Sequence, residues 1–225
     1  MPAPTQLVTD SRQARPILGH VNLMVDTLLA NASADEQVFS HRPAESSRSR
    51  ISSRLRAIVR GLLSSGSPAI TTAFLGAARR RLTHSTHTTK PIHGALFQQG
   101  QDGTEVGPTA ELQKTLRRAR TLYGAGLGFA SLKVLAQPVR AIADIRQENT
   151  AAMEGMFAEI DADISQALQS CREEFDSGRL SDVTAARLAL DELKAAVKES
   201  QVAVQSWRGA YPFERAATSL EYWKI

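Results

Sequence analysis

The stretch that decides the fold runs from Ala151 to Trp207 and reads AAMEGMFAEIDADISQALQSCREEFDSGRLSDVTAARLALDELKAAVKESQVAVQSW. Apolar side chains recur in its first part at spacings of 4, 3, 4, 4, 3 and 4, namely Met153, Phe157, Ile160, Ile164, Leu168, Cys171 and Phe175. This spacing keeps one helix face apolar over about six turns. We call these residues the first stripe, and they predict a long amphipathic helix that needs a partner.

A second apolar face follows the turn at Asp176-Ser177-Gly178-Arg179. It also has helical spacing, with only Ser200 polar in the register, and consists of Val183, Ala186, Leu190, Leu193, Val197, Val204 and Trp207. We call these residues the second stripe. The two stripes predict a long antiparallel helical hairpin over residues 138–208, with Pro138 at its start or at a kink and coiled-coil-like contact between its helices. Because the stripes follow different repeats, they favour a bundle with further helices over an isolated coiled coil.

Composition favours the same class of fold. Aromatic residues make up only 5% of the 225 residues, which favours close-packed helices over a β-sandwich. We therefore predict a mainly α protein, a helical bundle with a long C-terminal antiparallel hairpin and a basic helical N-terminal region. The one cysteine, Cys171, cannot form an intramolecular disulfide, and its place on the first stripe predicts a buried thiol rather than a nucleophile.

Charge is divided between the two ends of the chain. Residues 1–140 hold 18 Lys and Arg against 8 Asp and Glu, whereas residues 141–225 hold 9 against 15, so the net charges are +10 and −6. Opposite poles allow head-to-tail pairing of copies, or contact of the basic side with an anionic polymer or membrane. Acidic side chains of the hairpin are expected to form solvated faces rather than a catalytic carboxylate pair, namely Glu159, Asp161, Asp163, Glu173 and Glu174.

The front of the chain divides into a flexible arm, residues 1–15, and a basic helical region, residues 16–82. Within that region Ile51, Leu55, Ile58 and Leu62 are expected on the packed side of one helix, with arginines off that side. Three interpretations stay open for these arginines. They form a solvated bundle face, they bind phosphates of nucleic acid, or they bind an anionic membrane surface or acidic protein. The lack of interleaved aromatics disfavours single-strand binding.

A second front helix is predicted to begin at Pro68, with Ser67 as its N-cap. Ile70, Phe74, Ala77 and Leu82 are expected to face inward. The basic run from Arg79 to Arg81 would end the helix, where cations complement its dipole, and could also bind phosphate or lipid.

Residues 83–109 are predicted to be a loop or linker, with room for a short hairpin. They include His84, His87 and His93, whose spacing contains one H-x2-H pair but no further matching ligands. A zinc site is therefore disfavoured, and we expect no metal and no cofactor.

Residues 110–137 are predicted to form a glycine-containing apolar helix capped by Thr109. Gly124, Gly126 and Gly128 resemble part of a dinucleotide fingerprint, but Phe129 occupies the last glycine position and no strand precedes them. Small residues there would instead let two helices approach closely. The segment 121–136 is too short and polar to span a bilayer, and is expected at an interface or between subunits.

The tail, residues 209–225, is aromatic. Five of the twelve aromatic residues fall in the last nineteen positions. Such a cluster either docks on the hairpin or anchors a neighbouring subunit.

These patterns predict two sets of functional residues and no catalytic residue. The candidate anion-binding residues are Arg50, Arg54, Arg56, Arg60, Arg79, Arg80, Arg81, Arg117, Arg118 and Arg120. The candidate packing or interface residues are Met153, Phe157, Ile160, Ile164, Leu168, Leu190, Leu193, Val197, Val204, Trp207, Phe213, Tyr222 and Trp223.

The function these sets predict is non-enzymatic. We expect a structural or assembly protein that forms a homo-oligomer or joins a protein complex through its hairpin, with a basic front half facing an anionic partner. The alternatives are a nucleic-acid-binding module and a membrane-active or secreted effector. No small-molecule substrate is implied. Neither a secretory signal nor a spanning segment is evident, so we expect an intracellular protein or part of a particle.

Overall fold

The computed structural model describes residues 57–63, 65–88, 95–99, 106–145 and 151–223. The arm predicted over residues 1–15 and most of the first basic helix, with Ile51, Leu55, Arg50, Arg54 and Arg56, lie outside these residues. Across the described ranges the protein is mainly α, with one two-stranded sheet, which confirms the predicted class.

The front of the described chain is two helices separated at Gly66 and Ser67. Residues 57–63 are helical, and helix α1 (Pro68–Thr88) begins at the predicted proline. The end of α1 differs from the expected loop, because the helix runs to Thr88 rather than stopping after the arginines. No glycine or proline occurs between Gly76 and Pro91, so nothing in the backbone forces an earlier stop.

A small β-hairpin occupies part of the stretch expected to be loop. Strand β1 (Phe97–Gln99) pairs antiparallel with β2 (Val106–Pro108), with Phe97 opposite Pro108. Thr109 joins the hairpin to the next helix: its hydroxyl donates to the Ala95 carbonyl at 2.8 Å and accepts from the Leu112 N–H at 3.3 Å. The predicted N-cap is therefore confirmed.

The single helix expected over residues 110–137 is two helices, α2 (Ala110–Gly124) and α3 (Gly128–Ala141). Gly126 adopts φ of +77° in the turn between them, a conformation that favours glycine. Pro138 lies inside α3 instead of opening the hairpin, and a 3-10 turn (Ile142–Asp144) follows. The segment 121–136, expected at an interface, is mostly buried in the core of the chain itself.

Two long helices, α4 (Ala151–Asp176) and α5 (Val183–Ser206), occupy the stretch that was predicted to form the helical hairpin, and a short helix α6 (Glu214–Glu221) follows. Both stripes are buried along most of their length. The exceptions are Phe175 and Val183, which flank the turn and are exposed. Asp182 caps α5 by accepting from the Ala185 N–H at 2.9 Å.

The contact between the hairpin helices differs from the prediction. Helix α3 packs closely against both α4 and α5, whereas α4 and α5 approach each other little. The reason lies in the sequence of α3, which is buried on several sides through Leu132, Val134, Leu135, Ala136 and Val139. A helix that is apolar nearly all round must be covered from more than one direction, so α3 takes the centre of the bundle.

The front helices use a different face from the one predicted. Leu63 and Leu75 pack with Ala125 in a second small cluster. The expected inward residues Ile58, Leu62 and Ile70 are instead 58%, 60% and 51% exposed. Ala77, also predicted to face inward, is exposed as well. Phe74 and Leu82 are partly buried against the core, as predicted. The predicted phase is therefore wrong for part of this region, where Leu63 and Leu75, each one residue away from a predicted position, make the contact.

Candidate interaction surfaces

A buried ionic network joins α2 to α4. The Arg120 guanidinium reaches Asp163 through two nitrogens, Nε at 2.9 Å and Nη2 at 2.8 Å, and donates to Glu159 at 3.2 Å. The Tyr123 hydroxyl donates to the same Asp163 carboxylate at 2.8 Å. Burial, followed by the charge of Asp163, raises the pKa of Tyr123. Arg120 is thus paired inside the fold, where its charge holds two helices together.

A second buried carboxylate fixes the C-terminal helix. Asp161 accepts from the backbone N–H of Ala216 at 3.0 Å and from Arg215 Nε at 2.8 Å. The first of these donors lies in the opening turn of α6, whose N-cap residue Phe213 supplies no side-chain hydrogen bond. Asp161 therefore does the work of an N-cap from another helix.

Glu174 plays a similar part at the start of α3. Its carboxylate accepts from the Phe129 N–H at 3.3 Å, close to the point where Gly128 meets the α4 backbone. Burial raises the pKa of Glu174, although the Phe129 N–H and the charge of Arg179 oppose the shift. Burial, followed by the charge of Arg179, lowers the pKa of Arg79, which also feels Glu174. Arg79 is therefore partly turned toward the protein.

The three carboxylates Asp161, Asp163 and Glu174 correct the prediction of solvated acidic faces. They are 4%, 5% and 8% exposed. Each flanks the first stripe in sequence, but spacing cannot show which flanking position meets a cation or a helix N-terminus on another element. The sequence does contain a possible partner, Arg120 on a neighbouring helix. It does not show how α2 and α4 are aligned, so it cannot show which carboxylate Arg120 meets.

The remaining candidate arginines fall into two groups. Arg60, Arg80, Arg81 and Arg117 are exposed, and Arg118 is partly exposed. Arg50, Arg54 and Arg56 lie outside the described residues. Of the candidate arginines that the structure describes, the exposed ones therefore lie on the front helices and on the outer side of α2.

The candidate packing residues are mostly core residues of the single chain. All five from α4 and all four from α5 are buried, and Trp207 and Trp223 are half-buried. The aromatic tail docks on its own chain, which was one of the two predicted alternatives. Phe213 is completely buried and packs edge-on against Phe157, with ring centroids 6.0 Å apart. Trp223 stacks on Phe129, with ring centroids 5.7 Å apart. Tyr222 differs, since it is 80% exposed.

Two sets of aliphatic side chains remain at the surface. The α5 outer face consists of Leu188, Ala195 and Val202, spaced by seven residues and all exposed. The front corner consists of Ile58, Leu62 and Ile70, which lie on the two front helices on either side of Gly66. Sequence reasoning missed the first set, although its heptad spacing off the second stripe was visible. It assigned the second set to the core.

The described residues were also compared with the arrangements expected of a metal site, a reactive thiol and a membrane-spanning helix. Among the described residues, no three His, Cys, Asp or Glu side chains lie close enough to hold a metal ion. Cys171 is fully buried, and burial raises the pKa of its thiol. In the same part of the chain, every helix is too short or too polar to cross a bilayer. Comparison of the chain with protein-family models, curated proteins and solved structures gave no match.

The Arg120 network gives a direct test of the buried charges. We expect Asp163→Ala to lower the free energy of unfolding by about 2 to 3 kcal/mol, because it strands a partly buried guanidinium and a tyrosine hydroxyl. Chemical denaturation of the purified variant measures the change. The control is Glu159→Ala, which removes the other carboxylate partner of Arg120. That side chain is 56% exposed, so the loss should stay below about 1 kcal/mol. Equal losses for the two variants would contradict this assignment.

Proposed function

We propose that this chain is a non-enzymatic helical assembly protein. It self-associates through the outer side of its helical hairpin and presents its basic front half to an anionic partner. The apolar stripes of α4 and α5 are mostly buried in the core of the chain itself. A contact between copies must therefore use the exposed sides of these helices. The observation that supports the proposal is the α5 outer face, where Leu188 is 61% exposed and Val202 is 60% exposed.

The spacing of this face suits a contact between two identical helices. If two copies of α5 cross antiparallel with Ala195 at the centre, Leu188 lies opposite the partner's Val202, and the partner's Leu188 lies opposite Val202. A small residue at the centre allows the backbones to come close. Such a contact is isologous, which is the commonest way for soluble proteins to pair.

One pair of charges near the face agrees with the same register, whereas Asp191 and Glu199, four residues on either side of Ala195, would face each other as like charges. Glu192 and Lys198 are equally distant from Ala195, on opposite sides, so each would face its opposite charge across the twofold axis. Glu192 already accepts from Arg140 at 3.3 Å, which holds its carboxylate near the α3 side of the helix. The aliphatic side chains would therefore supply most of the affinity.

Light scattering on a size-exclusion column tests this contact. We expect a dimer at high protein concentration, and we expect Leu188→Glu to raise its dissociation constant at least a hundredfold. The effect is large because each dimer buries the substituted position twice. The matched control is Ile70→Glu, which places the same charge at another exposed aliphatic position and should leave the mass unchanged.

Two results would count against the proposal. A wild-type chain that is monomeric at every concentration would remove self-association altogether. A dimer that is weakened by Ile70→Glu and indifferent to Leu188→Glu would move the contact away from α5. Circular dichroism spectra of both variants should match the wild type, because both positions are exposed.

A further inference from the structure

We infer that the front corner and the arginines beside it form a binding surface for an anionic phospholipid bilayer. This inference names the anionic partner in the proposed function and rests on that part of it alone. It needs no contact between copies through α5.

The charge of the front region is unusually one-sided. Residues 46–101 contain nine Lys and Arg and no Asp or Glu. A carboxylate from the same region therefore cannot neutralise these cations. Within the run from Arg79 to Arg81, Arg79 is half-buried, and the charge of Glu174 on α4 acts on it. The neighbouring Arg80 and Arg81 are exposed.

The exposed side of α1 runs from aliphatic to cationic. Ile70, Ala73 and Ala77 share the exposed side over its first turns, and Arg80 and Arg81 follow on the same side. Ile58 and Leu62, on the helix before the break, add two further exposed aliphatic side chains. At that break an added Cβ on Gly66 would lie 3.4 Å from the Ile70 side chain and 2.5 Å from the Leu62 carbonyl oxygen.

This combination distinguishes a bilayer from the other anionic partners. A solvated bundle face would place polar side chains outward, yet three large aliphatics are more than half exposed here. A nucleic acid would use the arginines but would gain little from isoleucine and leucine, and no exposed aromatic of the front helices offers a base to stack on. A helix that lies in the headgroup layer uses both, because aliphatic side chains enter the acyl boundary and cations meet the anionic headgroups.

The arrangement predicts a peripheral, salt-sensitive association. The aliphatic part should enter the bilayer only to the depth of the headgroup boundary, which agrees with the described helices, none of which is long and apolar enough to cross it. Attraction between the arginines and anionic lipid should fall as added salt screens the charges. The aliphatic contribution should persist at high salt.

Co-sedimentation with vesicles tests the inference. The full chain is mixed with vesicles of phosphatidylcholine alone, or of phosphatidylcholine with about a third phosphatidylglycerol, a fraction chosen to mimic an anionic leaflet. We expect binding to the anionic vesicles that exceeds binding to the neutral ones at least tenfold. We expect Ile70→Glu and, separately, Arg80→Gln with Arg81→Gln to reduce it at least tenfold.

Leu188→Glu supplies the background that separates this inference from the proposed dimer. If both ideas hold, the Leu188→Glu chain is monomeric and still loses vesicle binding when Ile70→Glu is added. A chain that dimerises but never sediments with anionic vesicles overturns only the bilayer inference. A chain that sediments but never dimerises overturns only the α5 contact.

Two further outcomes would also overturn the bilayer surface. If Ile70→Glu leaves sedimentation unchanged while the arginine variant abolishes it, the contact is purely electrostatic and the front corner plays no part. If duplex DNA binds more tightly than the anionic vesicles, with an affinity indifferent to Ile70→Glu, the partner is nucleic acid. Thermal unfolding checks that each variant keeps its fold.

Discussion

Replacing Gly128 with alanine should be among the most damaging small changes in the core. A Cβ at this position would lie 2.3 Å from the Cys171 backbone nitrogen and 2.7 Å from the Ser170 carbonyl carbon. Both atoms belong to the α4 backbone, so no side-chain rotation can relieve the contact and α3 must move away from α4. We expect Gly128→Ala to cost about 3 kcal/mol of unfolding free energy, at the upper end of overpacking effects.

Gly155→Ala is the matched control for this prediction. Gly155 lies in the same pair of packed helices, on the exposed side of α4, and an added Cβ meets no atom within 4 Å. Alanine should therefore stabilise the protein by about 0.5 to 1 kcal/mol through its better helix propensity. Thermal melts should show Gly128→Ala lower by roughly 10 °C and Gly155→Ala slightly higher. Two similar melts would mean that α3 and α4 are not in close contact.

Truncating Phe213 to alanine should have a comparable or larger effect. Its side chain is fully buried and lies edge-on to both Phe157 at 6.0 Å and Tyr211 at 5.8 Å. Phe213 also precedes the first turn of α6, whose backbone Asp161 holds. We expect Phe213→Ala to lower the free energy of unfolding by about 3 to 5 kcal/mol and to loosen the whole segment that follows.

Tyr222→Ala removes an aromatic of similar size from the same tail. This side chain is 80% exposed, so its loss should change stability by less than about 0.5 kcal/mol. Limited proteolysis gives a second measurement: in Phe213→Ala, cleavage near residues 208–212 should become fast, whereas in Tyr222→Ala it should stay slow. If both variants resisted protease equally, the tail would not depend on its buried phenylalanine.

The helices of the rear half could be predicted because their signals are local. Phe157, Ile160 and Ile164 recur at helical spacing, and in α4 no second apolar face competes with them for the buried side. The position of α3 could not be predicted in the same way. Several apolar faces compete to pack against α3, and the sequence does not show which of them succeed. In the sequence, Gly126 also looks like a glycine that is tolerated inside one continuous helix, so the turn between α2 and α3 is not evident.

The surfaces were predictable only in part, for a related reason. The basic character of the front region is a property of composition, so the sequence indicates it directly. Which arginine is paired inside the fold depends on partners that are distant in sequence. Asp163, the partner of Arg120, is 43 residues away. The phase of the front helix was misjudged because Ile58 and Leu62, and also Val59 and Leu63, satisfy the same spacing, and only packing against Ala125 decides between them.

The stacking of Trp223 on Phe129 has a consequence for folding during synthesis on the ribosome. The two rings are 94 positions apart, so a nascent chain makes one of them long before the other exists. Until residues 213–223 leave the ribosome, Phe129 and Phe157 lack the rings that cover them, and Asp161 has no backbone N–H from α6 to accept. The last steps of folding of this core should therefore wait until residues 213–223 emerge, and a chain that stalls before then should be prone to aggregation.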